Sequence, residues 1–235
     1  MRGDGRRRND PRQYDRLAGE WWRPAGAFAG LHWLAEARAP LVPPPHRPGA
    51  VLLDLACGGG LMAPLVHGYR HVGVDVSAAS LAVAARHRVT PVRADVTALP
   101  FADRVADVVV AGEVFEHVSD LEALVAEIAR VLRPGGVLVC DTISDTWWAR
   151  LSLVTVGERL PGGPPPRVHD PDLFVAPARL VGLCRGHGIE LRVRGLRPAV
   201  PQYARFLATR RGSVRMVPTS SLGAVYQGVG RRVPG

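Results

Sequence analysis

Leu52-Leu53-Asp54-Leu55-Ala56-Cys57-Gly58-Gly59-Gly60 is an apolar run that passes through an acidic residue into a glycine cluster. Beyond it, His71-Val72-Gly73-Val74-Asp75 is a second apolar run that also ends on an acid. Two such runs read as neighbouring parallel strands with their ends side by side. The glycines permit a close backbone approach that a Cβ would prevent. Asp75 is placed to accept hydrogen bonds from a ribose diol. Together they describe a nucleoside pocket.

Outward from this pair the chain alternates strand and helix, as a parallel sheet with crossover helices requires. Strands are expected at 50–55, 71–75, 90–94, 106–111 and 136–142, with two late strands near 188–196 and 222–229. Helices are expected at 60–68, 78–87, 120–132 and 176–186. In the third of these, Leu121, Leu124, Val125, Ile128 and Leu132 recur at helical spacing. Asp120 at its start and Arg130 and Arg133 at its end complement the helix dipole, and Pro134-Gly135-Gly136 stops it. Upstream, residues 1–12 read as a disordered tail, and 11–22 and 25–38 as helices of a cap. The stretch 40–49, with Pro43, Pro44, Pro45 and Pro48, reads as a linker. The chain thus divides into a tail and helical cap (1–48) and an α/β domain (49–235) with an insertion at 145–170. The expected fold class is α/β: a Rossmann-like, mostly parallel seven-stranded sheet with helices on both faces.

A chain of 235 residues, 47% hydrophobic, can bury one sizeable α/β core. It has no uncharged apolar stretch of about 18 residues, and Met1 to Arg8 lacks the apolar core of a signal peptide. A cytoplasmic location is expected. Cys57, Cys140 and Cys184 have no ligand spacing and read as small buried hydrophobes in a reducing compartment. The net charge is +9, and all 30 basic residues are arginine. Part of that charge reflects composition, and no nucleic-acid-binding motif accompanies it, so no nucleic-acid partner is expected.

Two ligand classes suit the pocket, S-adenosylmethionine and a dinucleotide. A dinucleotide site wants Gly-x-Gly-x-x-Gly, but Gly58-Gly59-Gly60 is contiguous and position 63 is alanine. Asp54 would repel a pyrophosphate and would favour a sulfonium and an amino group. Charge therefore selects the methyl donor.

With these residues in view, the chain resembles the class I S-adenosylmethionine-dependent methyltransferases. Asp54-x-Ala56-x-Gly58-x-Gly60 matches their first motif with Ala56 in place of a glycine, and Asp75 their ribose-binding acid. Ala94-Asp95-Val96 matches their adenine-contacting segment, and Leu132-Arg-Pro-Gly-Gly136 the turn before strand five. More narrowly, Tyr14-Asp-x-Leu-Ala-x-x-Trp21-Trp22, Gly26-x-Phe28-x-x-Leu31-His32 and Glu113-Val-Phe-Glu116-His117 resemble the ubiquinone-biosynthesis O-methyltransferases. So do Val168-His169-Asp170 and Phe174-Val-x-Pro177, whereas 198–220 is unlike that family. The resemblance implies methylation of a phenolic, catechol or quinol hydroxyl on a polyprenyl-substituted ring. It assigns Arg38 to the cofactor carboxylate and Asp54, Ala56, Gly58, Gly60, Asp75, Asp95, Val96 and Gly112 to the cofactor pocket. It assigns Glu113, Glu116 and His117 to a divalent metal, Mg2+.

A phenol with a pKa near 10 is largely neutral at pH 7, so a base, a metal or both must help it react. His117 lies beyond the carboxyl end of strand four and is the first candidate base; His169 and His32 follow. The insertion around Trp147-Trp148-x-Arg150-Leu151 reads as core, as a substrate lid, or as a contact of 147–160 with an anionic membrane face. Three functions stand open: the quinol O-methyltransferase, a small-molecule methyltransferase of secondary metabolism, and a non-catalytic cofactor-binding scaffold.

Overall fold

Leu52, Val108, Val110, Val137 and Val139 belong to one buried layer, and Leu53, Leu55, Val109, Ala111, Leu138 and Cys140 to another. Strands that are apolar in both phases of the two-residue pleat need cover on both faces. The computed structural model describes residues 8–233. Its strands are β1 (Val51–Leu55), β2 (Arg70–Asp75), β3 (Thr90–Arg93), β4 (Ala106–Gly112), β5 (Leu132–Ile143), β6 (Ile189–Pro198), β7 (Met216–Thr219) and β8 (Val225–Arg232). They form one sheet in the order β3-β2-β1-β4-β5-β8-β6-β7. The pairings among β1 to β5 are parallel, while β8 runs antiparallel to β5 and β6, and β7 antiparallel to β6.

The helices are α1 (Arg12–Arg16), α2 (Ala29–Arg38), α3 (Ala78–Ala85), α4 (Leu121–Val131), α5 (Trp147–Ala149), α6 (Pro177–Gly186) and α7 (Val200–Thr209). α5 continues without a break into a π-helical segment, Arg150–Val156. α4 and α6 cover one face of the sheet through Leu124, Val125, Ile128, Leu180 and Cys184. The other face is covered by Trp21, Phe28 and Ala35 of the cap, with Leu61 and Met62. Asp120 caps α4 by accepting from Ala123 N at 2.9 Å, and Ser77 caps α3 by accepting from Ser80 N at 3.0 Å. Among the described residues, no helix is long and apolar enough to cross a membrane.

Several elements differ from the sequence expectation. Residues 60–68 form no helix. Gly58 and Gly60 hold φ of +52° and +79°, Pro64 has no N–H to give, and the chain makes successive turns from Cys57 to Val66. The sheet has eight strands because β7 and α7 arise within 198–220. β5 starts at Leu132, and its register with β4 then jumps from Ala106↔Leu132 to Val108↔Val137, so Pro134-Gly135-Gly136 loops out as a bulge. The first cap helix splits into α1 and a 3-10 turn, Ala18–Glu20. Residues 8–12, assigned to the disordered tail, are ordered: Asn9 N donates to Arg167 O at 3.1 Å. The rest of that tail, 1–7, lies outside the described residues.

β1 is flanked by β2 on one side and β4 on the other. The chain therefore leaves the sheet in opposite directions at this point. A crevice opens there beyond the carboxyl ends of the strands, where such sheets bind ligands.

Candidate active site

β1 delivers Asp54, which is buried 3.2 Å from His71 Nε2. Ala56, the alanine in the glycine-rich motif, has φ of +51°, a left-handed backbone that costs a residue with a Cβ roughly 1–2 kcal/mol. The bend is worth that strain because it turns Gly58 N toward the end of β2. Gly58 N donates to Asp75 Oδ2 at 2.9 Å and Ser77 N to Asp75 Oδ1 at 2.8 Å. Each oxygen keeps a lone pair, so the carboxylate is aimed and still able to accept from a ligand. Burial pushes the Asp75 pKa up, and the backbone N–H groups work against that.

The glycines make room for a neighbour. A Cβ on Gly59 would lie 2.5 Å from Trp21 Cβ, and one on Gly58 would enter the Trp21 ring. Trp21 Nε1 donates to Ser80 Oγ and Trp22 Nε1 to Gly59 O, both at 3.0 Å. The cap is thereby fastened over the loop.

Arg38, at the end of α2, crosses to β5. Its Nε and Nη2 donate to Asp141 Oδ2 and Oδ1, both at 2.6 Å. Burial disfavours the guanidinium charge, but Asp141, Glu113 and Asp54 hold it firmly protonated. Gly112 ends β4 beneath this fork, and a Cβ there would overlap the guanidinium. Glu113 follows at φ of +52°. Burial pushes its carboxyl well above the usual range, and Glu116 and Asp141 push it further. Glu116 is fully buried; burial raises its pKa too, while Thr142 Oγ1, donating at 2.7 Å, opposes the rise.

His117 closes the 3-10 turn Phe115–His117. Its Nδ1 is 2.7 Å from Asn9 Oδ1, and its Nε2 is 3.3 Å from Tyr14 Oη. The ring stacks on His169 with centroids 5.2 Å apart. Burial lowers the His117 pKa to about 4, and lowers that of His169 well below the ordinary imidazole value.

These groups border a cavity of about 780 Å3 whose wall includes Arg38, Asp54, Ala56, Asp75, Asp95, Val96, Gly112, Glu113 and His117. That is room for a nucleoside and a second small molecule. Of the sequence candidates, Gly58, Gly60 and Glu116 lie behind the wall, with Gly60 packed on Ala84 and Val89 of the α3 side. His32 lies elsewhere, with Nε2 2.7 Å from Trp21 O. Sequence reasoning missed Asn9, Tyr14 and Asp141. A strand-end acid on β5 was a readable signal for Asp141, and Tyr14 stood in the cap motif without a role; nothing marked Asn9.

The donor set does not fit Mg2+ as expected. Glu116, His117 and His169 converge, with one donor atom of each within 4.8 Å of the others, and Glu113 is not of that group. Two imidazole nitrogens and one carboxylate oxygen are a poor set for an ion that takes oxygens. The wall does suit a cationic nucleoside. Its carboxylates outnumber its two arginines, Arg38 and Arg197, and Asp75 ends β2 while Asp95 follows β3.

A family profile described as a methyltransferase domain matches residues 53–140. The ubiquinone biosynthesis O-methyltransferase of Agrobacterium fabrum is 33% identical over 189 residues, covering 72% of this chain and 76% of the relative. The mitochondrial enzyme of that name from Mus musculus is 31% identical over 210 residues, 79% of this chain, but the match spans only 57% of its length. A Thermotoga maritima structure, described as an S-adenosylmethionine-dependent methyltransferase and possible histamine N-methyltransferase, superposes with a TM-score of 0.68. It has 17% identity and covers 93% of this chain and 97% of its own, a likeness of fold. The chain belongs to the family of ubiquinone biosynthesis O-methyltransferases and is an S-adenosylmethionine-dependent methyltransferase.

Replacing Asp75 by alanine is expected to weaken S-adenosylmethionine binding by about 1–3 kcal/mol, the worth of hydrogen bonds to a charged group. Calorimetric titration measures this, and unchanged affinity removes Asp75 from the ribose site. Gly112→Ala is expected to lower unfolding stability by about 1–3 kcal/mol by forcing the Arg38 fork off its seat; a wild-type denaturation midpoint would contradict the packing described.

Proposed function

We propose that this ubiquinone-biosynthesis-type enzyme methylates a phenolic, catechol or quinol hydroxyl on a prenylated ring, with His117 as proton acceptor. The observation that carries the reading is the contrast between chain and pocket. A protein of net charge +9 lines the cavity with Asp54, Asp75, Asp95, Glu113 and Asp120 against two arginines, the buried Arg38 and the exposed Arg197. A low-dielectric wall of one sign attracts a ligand of the other, and S-adenosylmethionine carries a sulfonium and an amino group. Arg38 takes its carboxylate, and Asp75 its ribose. When bound, the cofactor supplies a methyl group already activated for displacement, so the protein has to position the acceptor and remove its proton.

The acceptor end of the cavity is apolar. Trp33 and Leu34 of α2, Leu153 of the π-helical segment and Met216 of β7 line it, which suits a prenyl chain. A proton moved from a phenol near 10 to an imidazole at about 4 runs uphill by roughly 8 kcal/mol. A free phenolate therefore does not accumulate; the proton leaves as the oxygen–methyl bond forms, and the base acts in the transition state.

The helical segment 147–159 has two faces. Trp148, Ser152, Leu153 and Gly157 roof the cavity, while Trp147, Leu151 and Val156 are 73%, 40% and 44% exposed. The outer face fits the interface of a membrane that holds a prenylated acceptor.

With S-adenosylmethionine and a prenylated catechol, mass spectrometry should find one added methyl on oxygen. His117→Ala is expected to lower kcat by roughly 100- to 10,000-fold while cofactor affinity holds. A wild-type rate would dismiss His117 as the base. Co-sedimentation with anionic vesicles should fall several-fold when Trp147 and Leu151 are both changed to serine, with activity on a water-soluble catechol retained. Equal sedimentation would remove the membrane contact.

A further inference from the structure

The N-terminal strap reaches the site from outside the α/β domain and is held there at several points. Arg8 Nη1 donates to Glu158 Oε1 and to His169 O, both at 2.9 Å, and Gln13 Nε2 donates to Pro166 O at 2.7 Å. Between these anchors Asn9 has φ of +56°, a conformation asparagine tolerates better than most residues with a Cβ. That backbone directs its carboxamide at His117.

The carboxamide grips His117 twice. Asn9 Nδ2 donates to the His117 main-chain oxygen at 2.9 Å, and Asn9 Oδ1 lies 2.7 Å from His117 Nδ1. A main-chain carbonyl only accepts, so it fixes which end of the amide faces it. The amide oxygen, which also only accepts, then faces Nδ1, and Nδ1 must carry the hydrogen. A neutral imidazole has one N–H, so Nε2 holds the lone pair. Tyr14 is compatible with this state. Its hydroxyl, 3.3 Å from Nε2, is a phenol kept neutral by burial, and toward a lone pair it can only donate. The strap thus presents to Nε2 the kind of O–H group that the reaction must deprotonate.

We infer that Asn9 is a positioning residue for methyl transfer: it locks His117 in the Nδ1–H tautomer so that Nε2 accepts the acceptor's proton at the place the Tyr14 hydroxyl now holds. The inference rests on His117 being the base. As the acceptor oxygen bonds to the methyl group, the methyl–sulfur bond breaks and its electron pair leaves with the neutral thioether, S-adenosylhomocysteine; the O–H bond breaks, an Nε2–H bond forms, and the imidazolium's Nδ1–H still donates to Asn9 Oδ1. Without Asn9 the proton sits on either ring nitrogen, and in the molecules with Nε2–H there is no base facing the cavity.

The test uses the full chain labelled with 15N-histidine, read by long-range 15N–1H correlation, alongside turnover of S-adenosylmethionine with a catechol carrying one prenyl unit. Asn9→Gly removes the carboxamide and tolerates the left-handed backbone, so it tests the side chain without adding strain. It is expected to lose the Nδ1–H signature of His117 and roughly tenfold or more in kcat, with cofactor affinity unchanged. Asn9→Asp, which keeps an acceptor on Nδ1, is expected to retain the tautomer and most of kcat. If Asn9→Gly keeps both the signature and the wild-type kcat while His117→Ala is impaired, the inference about Asn9 is overturned and His117 stands as the base. If His117→Ala itself turns over at the wild-type rate, the base assignment fails and takes this inference with it.

Discussion

The bidentate pair between Arg38 and Asp141 is the constraint around which the site is arranged. An arginine and a carboxylate withdrawn from water cost several kcal/mol each unless the geometry repays it, and two bonds of 2.6 Å in fork geometry do so. The pair ties the last residue of α2 to β5, and so joins the cap to the sheet. It also dictates Gly112, because no side chain can stand where the guanidinium lies. With Nε and Nη2 committed to Asp141, Arg38 keeps Nη1 for a ligand carboxylate and cannot also answer the other acids. Asp54, Asp75 and Glu113 are then left as a surplus facing the cavity. Burial pushes Asp75 and Glu113 toward holding protons. A cationic ligand relieves the same penalty, which is why the surplus reads as a binding device and not as a folding defect.

How much of this was legible in the sequence depends on how far apart in the chain the partners lie. Asp54, Asp75 and Gly112 could be read because a parallel sheet brings the ends of its strands together, and the pattern alone fixes those ends. The glycine cluster could be read as a bend, but its neighbour could not: Trp21 fills the side of Gly58 and Gly59 that the motif suggests is left for a ligand. Residues 60–68 carry enough apolar side chains to suggest a helix, yet two left-handed glycines and Pro64 prevent one, and α2 covers that face in its place. Asn9 and Arg38 meet partners more than 100 residues away, through contacts that no periodicity encodes. α7 and β7 escape a sequence reading because their stretch departs from the family pattern and β7 is only 4 residues long.

The chemistry follows from which groups are kept dry. His117 is neutral because burial strips its proton, and as the proposed base it is therefore available but weak. The weakness is tolerable for methyl transfer, since the electrophile is already activated and needs no preformed anion. What such a base requires is a lone pair in the correct place. Orientation therefore counts for more than basicity here, and the side chains packed around the ring serve it: Asn9 on Nδ1, His169 on its face, Tyr14 at Nε2. The Mg2+ implied by resemblance would have made orientation less important by holding the acceptor itself, but the nitrogen-rich group at this position is not built for it.

The same segment joins the site to its surroundings. Residues 157–169 receive Arg8, Asn9 and Gln13 of the strap on one side and continue from the roof helix on the other. The roof turns the half-exposed Trp148 and Leu153 toward the cavity and leaves Trp147 and Leu151 outside. The π-helical winding of Arg150–Val156 shifts the phase of successive side chains relative to an α-helix. That shift lets one short helix keep apolar residues on two opposed faces. An acceptor with a long apolar chain is poorly served by an opening into water, because its chain would have to be desolvated twice. An apolar roof with an apolar outer surface removes the second step. The strap, fixed to the margin of that roof, places the proposed base beside the path by which such a chain would enter.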